Sequence, residues 1–167
     1  MAYRQTYVTD ANIWIDLHVG GLVRRVFDLP ARFAAPDVIV QELLIPDGAE
    51  IVAYGLATCE LSGSEVRFVS QLRCRERYRA VSTNDLFALV LAMRLRAPLL
   101  TGDNHLRRAA EEHDVTVHGV LWLLDEMVRL QAIDMGTAAT ALGTMLAAGS
   151  RLPQQECAVR LARWRSR

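Results

Sequence analysis

The chain of 167 residues contains no lysine, so arginine supplies all 19 of its basic residues. This absence excludes a P-loop, whose lysine binds nucleotide phosphates, and every enzyme that forms a Schiff base through a lysine amine. The arginines are balanced by 19 acidic residues, and the formal net charge is therefore zero. A neutral chain has no global electrostatic field that would favour nucleic acid or a membrane surface.

Cysteines and long apolar runs are also scarce. The thiols of Cys59, Cys74 and Cys157 are widely separated and include no C-x-x-C pair. An odd, scattered set of cysteines predicts a reducing compartment and argues against a zinc site or a disulfide framework. No segment approaches the ~20 apolar residues of a membrane-spanning helix, and the N-terminus lacks the apolar run of a signal peptide. We therefore predict a cytoplasmic protein with no membrane association.

The hydrophobic fraction is 51%, which in a chain of this length predicts one domain with a substantial core. The most informative stretch is residues 82–108. Ser82 is a predicted N-cap, Asp85 follows three residues later as in a capping box, and a broad apolar face comes next. An apolar run ending at Thr101 is a predicted buried strand, after which Asp103 begins another helix. Ligands of open parallel sheets bind where strands end, so the two aspartates are candidates for one shared site.

The rest of the chain alternates between predicted strands and predicted helices. The other predicted strands are residues 6–8, 32–35, 66–69 and 115–117. Predicted helices begin after Asp10 and at Asp37, and others cover residues 22–29, 49–61, 104–113, 120–130, 137–148 and 153–164. This alternation predicts an α/β fold, a three-layer α/β/α arrangement with a central parallel sheet of about four to five strands and additional C-terminal helices.

Taken in order, the motifs of this chain resemble those of the PIN domain. The segments that carry the resemblance are VTDANIWID, PDVIVQELL, STNDLFALVLA, PLLTGDNHLRRAA and VTVHGVLWLLDEM. They match an Asp-x-Asn after the first strand, a Glu on a helix, an Asp-x-x-Ala-Leu on a central helix, a strand followed by Thr-Gly-Asp, and a Val-x-Val-x-Gly. The resemblance implies a PIN-like nuclease domain over residues 1–132 and a helical C-terminal extension over residues 133–167 packed on the same domain.

The same resemblance implies a metal-dependent ribonuclease that hydrolyses RNA phosphodiester bonds. Most often such a protein is the toxin of a bacterial toxin–antitoxin pair of the VapC kind. The catalytic and metal-binding residues that it implies are Asp10, Glu42, Asp85 and Asp103. The implied cofactor is Mg²⁺ or Mn²⁺, the implied substrate is RNA, and a cognate antitoxin is an implied partner.

A homodimer is a further expectation of the resemblance. PIN-like toxins form dimers and receive antitoxin helices near the segment that follows the first aspartate. In this chain the segment carries Ile13, Trp14, Leu22 and Val23. We predict that these residues form an exposed apolar patch, because such patches usually mark contacts with partners.

The chemistry of the four acidic residues agrees with the resemblance. Phosphodiester hydrolysis needs a nucleophilic water and compensation of the charge that develops on the phosphate, and a divalent cation supplies both. Mg²⁺ and Mn²⁺ prefer oxygen ligands. Each residue taken singly has a simpler explanation: Asp10 and Asp103 as N-caps, Asp85 within a capping box, and Glu42 as a solvated helix residue. Their joint position at one predicted sheet edge favours metal binding.

Three polar residues are candidates for supporting this site. Asn12 either hydrogen-bonds to Asp10 or a bound water, or stabilises the turn. Ser82 and Thr101 either orient carboxylates or serve only as cap and strand residues. The histidines show no metal-ligand spacing, and Trp122, like Trp14, is predicted to pack in the core or an interface.

Arginines are the candidates for RNA binding. Arg107 and Arg108 follow Asp103 closely and are well placed in the sequence to contact phosphates near the metal. In the arginine-rich segment 72–79, Arg75 and Arg79 would share one face of a helix, where they either contact phosphates or remain solvated.

Other protein classes with an acidic pocket on a similar fold fit less well. A phosphoacceptor receiver domain normally relies on a lysine, and a haloacid-dehalogenase-type phosphatase needs Asp-x-Asp where this chain has Asp10-Ala11-Asn12. The remaining alternative is a non-catalytic PIN-like scaffold that binds RNA or a protein without cleaving it. Metal-dependent RNA cleavage by the purified protein distinguishes that scaffold from a nuclease.

Overall fold

In the computed structural model, which describes residues 5–166, five parallel strands form one sheet in the order β3-β2-β1-β4-β5. The strands are β1 (Gln5–Thr9), β2 (Ala31–Pro36), β3 (Ala57–Cys59), β4 (Leu99–Leu100) and β5 (Val117–His118). The helices are α1 (Ala11–Val19), α2 (Asp37–Glu42), α3 (Gly48–Tyr54), α4 (Gly63–Arg73), α5 (Thr83–Leu95), α6 (Asn104–Glu111), α7 (Val120–Arg129), α8 (Met135–Ala147) and α9 (Gln154–Arg165). This is the predicted three-layer α/β/α architecture.

The strand order places the ends of β1 and β4 side by side. Val8 is in register with Leu99 and Thr9 with Leu100. The amide of Asp10 donates to the carbonyl oxygen of Leu100 at 3.2 Å, so the chain leaves both strands at the same level. From β1 the chain adds β2 and β3 on one side of the sheet, and later β4 and β5 on the other. Where the strand order reverses in this way, a crevice opens at the carboxyl ends of the strands.

Two hydrophobic cores cover the two faces of the sheet. One contains Trp14 and Leu17 of α1, the buried face of α7, and residues of α8 and α9 that include Trp164. The other packs α4, α5 and α6 against Val8 and Leu99. Helices α7, α8 and α9 therefore cover the same face of the sheet as α1, whereas α6 covers the other face together with α4 and α5.

The predicted strand over residues 66–69 is wrong, because these residues belong to helix α4. Ser62 Oγ accepts a hydrogen bond from the Glu65 amide at 3.3 Å, and Glu65 Oε2 accepts one from the Ser62 amide at 2.6 Å. This reciprocal capping box starts a helix. Val69 and Leu72, three residues apart, are buried on the helix face that packs in the core with α5.

The third strand is instead β3, within the predicted helix over residues 49–61. Helix α3 ends at Tyr54 because Gly55 adopts φ +127°, a conformation that side chains disfavour. Residues 57–59 then pair with β2, from Ala34 opposite Ala57 to Pro36 opposite Cys59. Of the predicted helix over residues 22–29, the structure forms only a 3₁₀ turn at Arg25–Asp28.

The predicted apolar patch after Asp10 is also wrong. Ile13, Trp14 and Leu22 are at most 1% exposed, and Val23 is half-buried. The indole N–H of Trp14 donates to Thr9 Oγ1 at 2.8 Å, and its ring stacks on Phe27 at a centroid distance of 5.7 Å. These residues are core because α1 lies between the sheet and the C-terminal helix α8. Within residues 5–166, no helix has the length and apolar character needed to span a bilayer.

Candidate active site

The centre of the candidate site is Asp10, which is fully buried at the carboxyl end of β1. Its Oδ1 accepts a hydrogen bond from the Ile13 amide at 3.0 Å and so caps α1, while its Oδ2 accepts one from Thr101 Oγ1 at 2.5 Å. The pKa of Asp10 is raised to about 7, chiefly by burial; repulsion from Asp85 and Asp103 contributes to the increase, and the hydrogen bonds from Thr101 and Ile13 oppose it. A carboxylate buried among other carboxylates provides oxygen ligands for a cation.

Thr101 connects the ends of β1 and β4. Its hydroxyl donates to Asp10 and accepts from the Asp103 amide at 3.0 Å, and its side chain is fully buried. Asp103 then caps α6, because its Oδ1 accepts from the Leu106 amide at 2.7 Å. Of the three supporting residues predicted from the sequence, Thr101 therefore has direct contact with two of the acidic residues.

Asp85 lies in the first turn of α5, where its amide donates to Ser82 Oγ at 3.1 Å. The carboxyl group of Asp85 interacts electrostatically with those of Asp103 and Glu42. Burial raises the pKa of Asp85, and repulsion from Asp103 and Glu42 adds to the increase. Ser82 thus has the cap role predicted for it, and it lies directly against one of the acidic residues.

Glu42 is the last residue of α2 and is exposed. The side-chain amide of Asn84 donates a hydrogen bond to Glu42 Oε2, which ties α2 to the start of α5. Asn84 was missed at the sequence level, although its position immediately before Asp85 was a signal. The four acidic residues predicted from sequence therefore lie along one edge of the sheet, from an exposed rim at Glu42 to a buried end at Asp10.

A second missed residue, Asp16, lies one helical turn after Asn12 on the same face of α1. Both line a cavity of about 420 Å³ that also contacts Asp103. Asp16 Oδ1 accepts a hydrogen bond from Ser150 Oγ at 2.6 Å, and burial raises the pKa of Asp16. Asn12 itself is exposed, and it faces this cavity together with Asp103. The i, i+4 spacing of Asn12 and Asp16 was the signal available in the sequence.

The donor set consists of carboxylate oxygens, which suits a hard divalent cation. Over residues 5–166, no group of three or more acidic, histidine or cysteine side chains is arranged closely enough to form a ready ligand cage. Asp10 and Asp103 are instead engaged as helix caps. Because Mg²⁺ usually binds through one or two carboxylates and keeps several waters, a complete cage of protein ligands is not a requirement for it.

The family comparison agrees with this arrangement. A family model described as DUF3368, a PIN domain, matches residues 6–166. The chain belongs to the PIN-domain family. Members of this family are generally nucleases and generally use divalent metal ions.

Among solved structures, this PIN domain is similar to a PilT N-terminus domain protein from the hyperthermophilic archaeon Sulfolobus solfataricus P2. The TM-score is 0.53 at 14% sequence identity, over 72% of this chain and 92% of the other. At that identity the similarity concerns the fold. The search of curated proteins found no match.

The structure separates the predicted RNA-binding arginines of this PIN domain. Arg107 lines a cavity beside Thr101, whereas Arg108 is exposed and lines neither that cavity nor the one that Asn12 and Asp103 line. Arg75 and Arg79 do not share a helical face, because α4 ends at Arg73 and a 3₁₀ turn follows at Glu76–Tyr78.

The arginine-rich segment 72–79 contacts the C-terminal end of α6, which is the end farther from Asp103. The hydroxyl of Tyr78 donates to Glu112 at 2.7 Å, and Arg77 pairs with the same carboxylate at 3.4 Å. Glu112 follows the last turn of α6, whereas Asp103 precedes its first. These contacts favour the solvated-face interpretation of Arg75 and Arg79.

Proposed function

We propose that the chain is a Mg²⁺- or Mn²⁺-dependent endoribonuclease that hydrolyses RNA phosphodiester bonds at the edge formed by Asp10, Glu42, Asp85 and Asp103. The observation that carries the proposal is the buried carboxyl group of Asp10, whose pKa is about 7 among other carboxyl groups. Four acidic side chains gathered at one sheet edge repel one another, and a divalent cation relieves that repulsion. A bound cation would supply a nucleophilic water and charge compensation on the phosphate.

The other side chains of the site have supporting tasks in this proposal. Thr101 holds Asp10 through its hydroxyl and Asp103 through its backbone amide. Ser82 fixes the first turn of α5 and with it Asp85, while Asn84 restrains Glu42. Fixed carboxylates need no rearrangement when a cation and a phosphate arrive, which is the benefit of a preorganised site.

A cleavage assay with a matched pair of variants tests the proposal. We expect purified protein to cleave total RNA, EDTA to stop the cleavage, and Mg²⁺ or Mn²⁺ to restore it. Asp103→Asn should abolish cleavage while keeping the α6 cap, because asparagine also caps helices. Asp134→Asn is the control, since Asp134 caps α8 by accepting from the Thr137 amide at 2.6 Å. The control residue lies ~20 Å from the end of α8 that borders the site.

Thermal unfolding gives a second readout that does not depend on activity. A ligand that binds only the folded state stabilises it by mass action. We expect Mn²⁺ to raise the melting temperature of the wild type and of Asp134→Asn, and to raise that of Asp103→Asn much less. Cleavage by Asp103→Asn, or a full metal-induced shift in that variant, would contradict a shared metal site. Absence of metal-dependent cleavage in the wild type, with RNA still bound, would support the non-catalytic scaffold.

We further propose that the protein is the toxin of a toxin–antitoxin pair. The support is the resemblance of its motifs to those of VapC-type toxins. Expression of the wild type should arrest bacterial growth, and expression of Asp103→Asn at the same level should not. A small DNA-binding protein encoded immediately upstream, if co-expressed, should bind the chain and restore growth. Normal growth with the wild type at full expression would contradict the toxin role.

A further inference from the structure

A cavity of about 670 Å³ lies beside the acidic edge, between the sheet and the C-terminal helices. Its volume is within the range of ~300–1,000 Å³ that is typical of small-ligand sites. Its lining includes Thr101 and Gly102, which directly precede Asp103, and Arg151 and Leu152 of the α8–α9 connection. Arg151, Gly102 and Leu152 also line the smaller cavity that reaches Asp103. The connection between α8 and α9 therefore borders the candidate active site directly.

Two of the three arginines that line this cavity carry charge that no carboxylate compensates. Arg160 is neutralised, because it pairs with Asp125 at 2.7 Å and with Glu156 at 3.5 Å. Arg107 and Arg151 have no carboxylate within 4.0 Å among the residues that the structure describes. Two such arginines in one cavity supply positive charge that a phosphate group could bind.

The guanidinium group of Arg107 lies at the end of the sheet. Both this group and the Thr101 carbonyl lie against Gly119. A Cβ atom built on this glycine would be 3.7 Å from Arg107 Nη2 and 3.6 Å from the carbonyl oxygen of Thr101. The head group is thus close to the residue that hydrogen-bonds to both Asp10 and Asp103. Arg107 therefore lies on the side of the cavity nearest the acidic edge.

Two stacked rings line the same cavity. His118 and Trp122 are 4.0 Å apart between ring centroids and nearly parallel, with an angle of 13°. Burial and the nearby charge of Arg107 lower the pKa of His118, which favours the neutral form of this imidazole. Trp122 packs against the core, as predicted from the sequence, and it also lines this cavity. Nucleobases stack on flat aromatic surfaces of this kind without strong sequence preference.

We propose that this cavity binds one nucleotide of the RNA substrate, adjacent to the phosphodiester that is cleaved. Arg107 and Arg151 bind its phosphate, and its base occupies the space beside His118 and Trp122. The inference rests on the proposed ribonuclease function, and it assigns substrate positioning to the α8–α9 connection. Both arginines are then positioning residues for RNA, because they contact the substrate away from the reacting phosphate.

RNA binding in EDTA tests the inference without cleavage. Fluorescence anisotropy of a labelled single-stranded RNA of mixed sequence should give an affinity about tenfold lower for Arg107→Ala and for Arg151→Ala, as expected for a charged hydrogen bond. Each variant should also reduce the slope of log K against log salt by about 0.7. The control is Arg67→Ala, because Arg67 is exposed on α4 and lines neither cavity.

Competition experiments separate the base from the phosphate. Nucleoside monophosphates should displace the RNA at lower concentration than ribose 5-phosphate does, and His118→Ala should remove this difference. Equal competition by the two compounds would overturn the base site. Unchanged affinity and salt slope in Arg151→Ala would overturn the role of the α8–α9 connection. If the protein cleaves RNA but either of these two outcomes is observed, only the inference about the cavity is refuted. If RNA binding depends on both arginines but no metal-dependent cleavage occurs, only the proposed nuclease activity is refuted.

Discussion

At the scale of single residues, Asp10 shows how a cap and a candidate metal ligand coincide. Its carboxylate caps α1 through the Ile13 amide and accepts from Thr101, yet burial keeps its pKa at about 7. Asp134, which caps the exposed start of α8, instead has a lowered pKa because the Thr137 amide donates to its carboxylate. The two caps differ because burial, with repulsion from Asp85 and Asp103, opposes the charged form of the Asp10 carboxyl group, whereas Asp134 is exposed.

This raised pKa predicts how stability depends on pH in metal-free protein. Folded Asp10 keeps its proton up to about pH 7, whereas the unfolded chain releases it near 3.8. The folded state binds more protons between these values, so its free energy of unfolding should fall as pH rises through this window, by up to roughly 4 kcal/mol. Urea unfolding in EDTA from pH 4 to pH 7 measures the change, and the pKa of Asp85 contributes in the same direction.

The Asp10→Asn variant should flatten this dependence. Asparagine can keep the cap on Ile13 and carries no charge to desolvate. We therefore expect the variant to be more stable than wild type at pH 7 and to vary less with pH. Asp134→Asn is the control and should retain the wild-type slope in this window. A free energy of unfolding that stays constant from pH 4 to pH 7 in the wild type would contradict a raised pKa of Asp10 in the folded state.

At the scale of elements, α4 explains why one predicted strand was wrong. Its sequence Val66-Arg67-Phe68-Val69 has the β-branched and aromatic composition of a strand. The local signal that overrode composition was Ser62-Gly63-Ser64-Glu65, a capping box that the sequence displays in full. Reading this motif before the apolar run would have predicted the helix.

The capping box should therefore contribute measurably to stability. We expect Ser62→Ala to lower the free energy of unfolding by ~1 kcal/mol, because it removes the acceptor for the Glu65 amide. Ser70→Ala in the same helix is the control, since its hydroxyl only bonds back to the Val66 carbonyl at 3.1 Å and its loss should change stability little. Equal effects of the two substitutions in urea unfolding would show that the cap is not what stabilises α4.

At the scale of the whole molecule, the expected homodimer needs a different surface from the one predicted. The residues after Asp10 are core, whereas Leu44 and Ile45 between α2 and α3 are 82% and 73% exposed. They follow Glu42 closely, so a partner bound there would lie beside the rim of the acidic edge. Adjacent exposed apolar side chains of this size are a common feature of contact surfaces.

We predict that the chain is a homodimer at micromolar concentration and that this surface contributes to it. Light scattering should give twice the chain mass for wild type, and the double variant Leu44→Ser, Ile45→Ser should shift the population toward monomer. Val159→Ser is the control, because Val159 is 60% exposed on α9, away from this loop. A monomeric wild type would contradict the predicted homodimer. A double variant that remains fully dimeric would show that the dimer contact lies on another surface.

The sequence by itself determined the acidic residues and most of the elements that carry them. Caps and strand ends are local features, so Ser82, Asp85 and Asp103 could be assigned from neighbours within a few residues. The parallel α/β sheet followed from the alternation of strands and helices, and the resemblance of five ordered motifs identified the family that the comparison confirms. Short local patterns were sufficient for these conclusions because the interactions behind them span only one helical turn or one strand.

Only the tertiary structure decided which distant residues share the site. The hydrogen bond between Thr101 and Asp10 joins residues 91 positions apart, and it exists because β1 and β4 are neighbours in the sheet. The same packing buries Asp10 and raises its pKa, and it places Arg151 of the α8–α9 connection in one cavity with Arg107. Burial and long-range proximity depend on strand order and on which helices cover each face, and no local sequence pattern specifies either.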